Sequence, residues 1–341
     1  MKAFYADEQK RHDPKGFLSS GAPQPNPEQP ERVERLLAGA RAAGCKMVRP
    51  RDYGLGPIAA VHTPEYLDFL EHIYARWQRI PEASAEVIPN IHPIARGGSY
   101  PASAVGQAGY HMADTACPIS AETWESVCWS AWSAVGAADA VLSGEPAAYA
   151  LCRPPGHHAF ADVAGGFCFV NNSAVAAQRL RGQAARVAIL DVDLHHGNGT
   201  QGIFYARPDV LTVSIHADPV RFYPFFWGHA DERGEGPGLG YNLNLPLPRK
   251  SGDAEFLAAL DGAFRRIRAY APEALVVALG LDAFEGDPFG GLLVTTPGFA
   301  RIAEGIAKLG LPTVIVQEGG YLCDALSDNL TSFLSGFGGA R

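Results

Sequence analysis

Apolar positions recur along the chain with two different periods. In PERVERLLAGARAAG, from Pro30, and in TPEYLDFLEHIYARW, from Thr63, they return every three or four residues, which predicts amphipathic helices. The first closes on a glycine, and the second opens with Thr63 as its cap and Pro64 in its first turn. From Thr123 a long Ala-rich helix to Leu142 is followed by short, almost wholly apolar runs: AAYALC, RVAILDVD, VLTVSIH, ALVVALG and TVIVQEGG. The helical stretches NNSAVAAQRLRGQ, DAEFLAALDGAFRRIRAY and PGFARIAEGIAKLG lie among them. Strands apolar on both sides belong in a parallel sheet covered on both faces. The expected fold is therefore α/β: a single-domain three-layer α/β/α arrangement with a mostly parallel central sheet.

Two stretches break this pattern. Residues 13 to 30 carry Pro14, Pro23, Pro25, Pro27 and Pro30 in polar surroundings and read as an irregular surface segment. Residues 81 to 109 are again rich in Pro and Gly. Structureless connections beyond about 15 residues are uncommon in compact domains, so this segment reads as an insertion with a functional or assembly role.

Composition narrows the class. Of 341 residues, 47% are apolar and 19% charged, enough to bury a large core and too ordered a mixture for a disordered chain. A net charge of -8 without runs of Lys or Arg argues against a nucleic-acid partner and suits cationic substrates. Six cysteines, scattered and without CxxC, fit a reducing cytoplasm. The amino terminus lacks the apolar run of a signal peptide, and no stretch approaches the roughly 18 apolar residues of a membrane span.

In open α/β sheets ligands sit beyond the carboxyl ends of the strands, and the polar clusters fall there: RPPGHH, DVDLHHGNG, SIHAD, LDAFEGD and EGGY. Alternate residues of an extended chain share a face, so Asp191, Asp193 and His195 can point together. A lone D-x-D-x-H is also what a solvated turn looks like; Asp282, at a second strand end, argues against that. Two carboxylates and an imidazole with an open position make a catalytic zinc site, and such ligands also hold iron or manganese. His196 is as well accounted for by packing or capping as by a role in the site. Pro154 and Pro155 stiffen the approach to His157 and His158.

Together RPPGHHA, GGFCFVNN, DVDLHHGNGTQ, SIHAD, GLDAFEGDP and EGGY resemble, in order, the motif set of the histone deacetylase and acetylpolyamine amidohydrolase family, most closely its bacterial acetylpolyamine amidohydrolases. The likeness runs from about Val61 to Tyr321 and implies the arginase-deacetylase fold. It implies zinc on Asp193, His195 and Asp282, and proton transfer by His157 and His158. His157 would be held by Asp191, and His158 by Asn198, where many deacetylases have an aspartate. Tyr321 would donate a hydrogen bond to the substrate carbonyl. It further implies a structural potassium or sodium ion at Asp191, Ser214 and Ile215 with carbonyls of Asp193 and His195, and a second near Phe204, Arg207, Val210 and Tyr241. Gly166, Phe167 and Tyr223 would wall a narrow tunnel for a methylene chain.

The substrate expected on this basis is a small N-acetylated amine such as acetylputrescine or acetylcadaverine, with acetyl-lysine in peptides or proteins as the alternative. The 81–109 insertion resembles the loop through which acetylpolyamine amidohydrolases form homodimers. One departure is that Val105 and Ala116 stand where acidic rim residues are expected, with Asp114 nearby as a substitute. A two-metal ureohydrolase is disfavoured because Asp282 is followed by Ala283 and Phe284 rather than a second aspartate. An inactive binding homologue is disfavoured because all the metal and proton-transfer residues are present.

Overall fold

The computed structural model describes residues 1–96 and 98–340. Its strands are β1 (Lys2–Phe4), β2 (Gly16–Ser19), β3 (Ala22–Pro25), β4 (Lys46–Val48), β5 (Ala147–Ala150), β6 (Val187–Asp191), β7 (Val210–Ala217), β8 (Asn242–Leu247), β9 (Ala274–Leu279) and β10 (Thr313–Gln317). The helices are α1 (Glu31–Ala42), α2 (Gly56–Ala59), α3 (Pro64–Trp77), α4 (Ala104–His111), α5 (Thr123–Leu142), α6 (Asn172–Leu180), α7 (Asn198–Phe204), α8 (Asp253–Tyr270), α9 (Thr296–Ala307) and α10 (Leu326–Gly339).

Eight strands form one sheet in the order β4-β1-β5-β10-β9-β6-β7-β8, and every pairing in it is parallel. Alternate residues feed the two faces. Leu190, Val213, Leu275, Val277 and Ile315 pack with α1, α8, α9 and α10, while Ile189, Val276, Val314 and Val316 pack with α5 and α6. With both faces covered, alternation gives apolar residues at every position, which explains the unbroken runs in the sequence. A third cluster, around Tyr66, Phe69, Trp132 and Phe169, seats α3 and α4 beside α5. The order puts β10 beside β9 and β9 beside β6, so the loops that leave these three neighbours meet.

The expected helices form where they were placed. The Thr63 hydroxyl accepts the N–H of Tyr66, with Pro64 opening α3. Two expectations are corrected. Residues 13 to 30 are not wholly irregular: β2 and β3 make an antiparallel hairpin, paired from Gly16–Pro25 to Ser19–Ala22, whose prolines are tolerated because both strands are edges. The irregular insertion ends before 109, since α4 begins at Ala104, capped by the Ser103 hydroxyl on Gly106 N–H. Strands β1, β4 and β8 were not anticipated; β1 and β4 are three residues long, too short to show a period. None of the described helices is long and apolar enough to cross a membrane, and all six cysteines are unpaired.

Candidate metal centre and active site

Asp193 and His195 leave the end of β6, and Asp282 leaves the end of β9. Among the described residues these three form the one group of His, Cys, Asp or Glu with metal-ligand proximity, their ligand atoms within 4.8 Å of one another and all buried. His195 Nδ1 lies 3.0 Å from Asp282 Oδ2 and 3.4 Å from Asp193 Oδ1. The backbone holds the other oxygens: Leu194 N–H donates to Asp282 Oδ1, His195 N–H to Asp193 Oδ1, and Gly319 N–H to Asp193 Oδ2. A Cβ on Gly319 would stand 2.4 Å from Asp282 and 2.6 Å from Asp193, so only glycine lets β10's loop approach the two carboxylates this closely.

Two buried carboxylates call for positive charge. Burial works against a charged His195, but Asp193 and Asp282 outweigh it and hold its pKa up at about 9. Burial and the Asp193 charge push Asp282 up. An O, N, O donor set with surplus negative charge and an open side fits a divalent ion, which would displace the imidazolium proton.

The chain departs from a regular strand after Asp191, so the three acidic and imidazole side chains do not form one row. Asp191 turns to His157, whose Nδ1 donates to Oδ2 at 2.9 Å, while Asp193 N–H donates to Oδ1. His158 Nδ1 lies 2.6 Å from Asn198 Oδ1; that oxygen only accepts, which puts the proton on Nδ1 and leaves Nε2 with a lone pair. The two neighbouring imidazoles, 4.1 Å apart, are driven in opposite directions. Burial opposes charge on His157, but Asp193 and Asp191 more than compensate and raise it to about 10. Burial, with His157 and His195 as cationic neighbours, pushes His158 well below its ordinary value despite the Asn198 contact. The surroundings thus favour charge on one histidine and the neutral form on the other.

Tyr321 is buried beside this cluster, its ring 4.7 Å from that of Phe289 and 5.8 Å from that of Phe167. Tyr223 meets His158 edge-on at 4.9 Å, and Phe222 stacks on His195 at 5.1 Å. Gly166, at φ +53°, leaves no room for a side chain, because a Cβ there would lie 2.5 Å from His158. These rings pack around the imidazoles and carboxylates of the cluster. Val105 and Ala116 bring no charge to it. Asp114 is tied down, with Oδ2 accepting from Gly166 N–H and Tyr223 O–H.

Five residues of this neighbourhood were not singled out in the sequence, although the first two lie inside the EGGY and GLDAFEGDP motifs: Glu318, Asp287, Arg32, Phe222 and Phe289. Glu318, raised to about 7 by burial, accepts from Gly156 N–H, His157 N–H and the Ser173 hydroxyl, so it anchors the histidine loop. Asp287 accepts from Tyr321 N–H at 3.0 Å. Arg32 donates to the carbonyls of Gly320 and Glu318 and lies 4.8 Å from the Tyr321 ring centre. A charged residue ending an apolar strand, as in TVIVQE, was a further hint.

His196 turns away, toward Asn244 and His216, and its Nδ1 has no partner. It lines a cavity of about 10 Å³ with Asp191, Gly197, Ser214 and Asn244. Ile215 follows Ser214 on β7 and is buried. Phe204, Arg207, Val210 and Tyr241 gather at the opposite end of β7, where the Phe204 carbonyl accepts from Arg207 N–H and that of Tyr241 from Thr212 N–H.

Comparison with known proteins gives the family and agrees with the fold. The histone deacetylase domain matches residues 26–337. The chain is 50% identical to an acetylpolyamine amidohydrolase of Burkholderia pseudomallei (strain 1710b), over 100% of both chains. It is 44% identical to acetylpolyamine amidohydrolase 1 of Pseudomonas aeruginosa PAO1, over 100% of this chain and 99% of that one. The crystal structure of acetylpolyamine aminohydrolase from Burkholderia pseudomallei superposes with a TM-score of 0.98 at 50% identity, covering 100% of this chain and 99% of the other.

Proposed function

Given that the chain belongs to the histone deacetylase family, we propose that it deacetylates small N-acetylated amines, acetylpolyamines such as acetylputrescine or acetylcadaverine, by metal-dependent amide hydrolysis. Zinc is the proposed ion on Asp193, His195 and Asp282, with iron as the alternative, since both accept these donors. The observation that carries the reading is the meeting, in one buried cluster, of that ligand set with two imidazoles oriented by Asp191 and Asn198. The substrate class is supported by full-length relatives that bear the acetylpolyamine amidohydrolase name.

When bound, the divalent ion supplies Lewis acidity, polarising the acyl oxygen and acidifying water. The chain's own residues do the rest. His158 accepts a proton from the attacking water at Nε2, its Nδ1–H held on Asn198, and delivers that proton to the departing amine nitrogen. Asn198 is neutral and raises His158 less than a carboxylate would. His157, its Nδ1–H held by Asp191, lends positive charge as the acyl oxygen becomes an anion, and the Tyr321 hydroxyl donates to that oxygen. Gly166, Phe167 and Tyr223 confine the methylene chain and exclude water.

Three further features belong to the proposal. A potassium or sodium ion behind the cluster, at Asp191, Ser214, Ile215 and the carbonyls of Asp193 and His195, is supported by the small polar cavity that Asp191 and Ser214 line; a second, near Phe204, Arg207, Val210 and Tyr241, rests on the family resemblance alone. Homodimer formation through the insertion is supported by Ile91, Ile94 and Tyr100, exposed there at 60%, 108% and 44%. A cytoplasmic location accords with six unpaired thiols. The test is a panel of acetylputrescine, acetylcadaverine and an acetyl-lysine peptide with metal-replete protein. The diamines are expected to lead in kcat/KM by about tenfold or more; a lead for the peptide overturns the substrate assignment.

A further inference from the structure

The acidic rim positions expected of a polyamine site are Val105 and Ala116 here, yet one carboxylate does bond two of the expected wall residues, Gly166 and Tyr223. Asp114 follows a segment pinned by Ala113 N–H on the Ala164 carbonyl and Ala164 N–H on the His111 carbonyl. Its Oδ2 accepts from the Tyr223 hydroxyl at 2.8 Å and from Gly166 N–H at 3.0 Å, and its Oδ1 from Ala116 N–H at 2.8 Å. All three donors are neutral, so its charge is spread over dipoles rather than cancelled by a cation.

We propose that the Asp114–Tyr223 pair is the specificity determinant of the expected tunnel, selecting substrates that carry an ammonium group on the chain beyond the amide. Two consequences of the geometry lead there. First, a carboxylate accepts about four hydrogen bonds and three are used, so one acceptor site remains on a half-buried anion. Second, the Tyr223 hydroxyl spends its proton on Asp114, which leaves its oxygen as a polarised acceptor beside the apolar walls. It stands at the wall itself: a Cβ on Gly166 would be 2.9 Å from that oxygen, and the Tyr223 ring is edge-on to His158. A phenyl wall offers nothing of this kind. The same two bonds fix Tyr223 against the Gly165–Gly166 side, so charge selection and tunnel width have one origin.

This inference rests on the proposed substrate class, and its experiment keeps the two apart. Steady-state kinetics are compared for acetylputrescine and for N-pentylacetamide, which has a methyl group in place of the ammonium. Wild-type enzyme is expected to favour acetylputrescine, and a wild type that treats both alike overturns the substrate class and this inference together. If the preference is present, Asp114→Asn is expected to lower kcat/KM for acetylputrescine about tenfold, chiefly through KM, and that for N-pentylacetamide by less than about threefold. Its rate with acetylputrescine should also lose sensitivity to salt. Equal losses on both substrates, or an unchanged ratio, overturn the inference while leaving the substrate class intact. Tyr223→Phe, which keeps the ring, is expected to narrow the same ratio and serves alone should the Asp114 variant not fold; an unchanged ratio in that variant overturns the inference as well.

Discussion

At the floor of the site each of the six oxygens of Asp191, Asp193 and Asp282 meets a backbone N–H or an imidazole, whereas in the insertion Ile94 stands wholly in solvent. The floor comes from three adjacent strand ends, where the sheet determines where each peptide lies. The insertion from residue 88 to 103 contains no helix or strand among its described residues and is fastened by side chains: Arg96 to Asp162 at 2.9 Å, and Tyr100 to His111 at 2.9 Å. The difference shows where accuracy is needed. Ligand and proton-transfer atoms tolerate little displacement, while a surface that selects substrates or partners needs only shape and charge.

Changes at the floor are expected to have the largest effects. Asp282→Asn should abolish measurable hydrolysis, a loss of about a thousandfold or more, together with stoichiometric metal in elemental analysis; retained metal and activity would break the floor's assignment. Chelation of wild-type protein should give the same loss, reversed by adding zinc.

Next comes Tyr321→Phe. With its proposed bond made only as the acyl oxygen becomes an anion, kcat should drop about a hundredfold with little change in KM. A change confined to KM would move Tyr321 from the floor's chemistry to substrate binding.

Glu318 separates geometry from charge at the floor. Glu318→Ala strips partners from two buried N–H groups and a hydroxyl and should cost about 2–4 kcal/mol in urea unfolding, with kcat down about tenfold. Glu318→Gln, which can still accept from both N–H groups, should restore most of both. If the glutamine variant is as damaged as the alanine one, the anchor works through its charge instead.

The smallest catalytic effect belongs to the insertion. Ile94→Asp should shift the protein toward monomer in light scattering while kcat stays within about twofold; an unchanged mass would remove the insertion from the proposed dimer contact.

The architecture and the floor were largely legible before any coordinates. Five apolar runs alternating with helices require a parallel sheet, because only covered faces tolerate such strands. Polar clusters at their carboxyl ends required a site there. The rest depends on which loop meets which. That β10 lies between β5 and β9 brings Glu318 under the histidine loop, with its carboxylate on Gly156 and His157. No local pattern encodes a contact between residues 162 positions apart.

The sequence by itself determined that aspartates and histidines would crowd one edge of a parallel sheet, since periodicity and the chemistry of side chains are local properties of a chain. Only the tertiary structure decided that Glu318 anchors the histidine loop, that burial and neighbours drive His157 and His158 in opposite directions, and that Asp114 reaches Tyr223. Charge state and hydrogen-bond partner depend on burial and on distance in space, and both of these arise only once the strands are side by side.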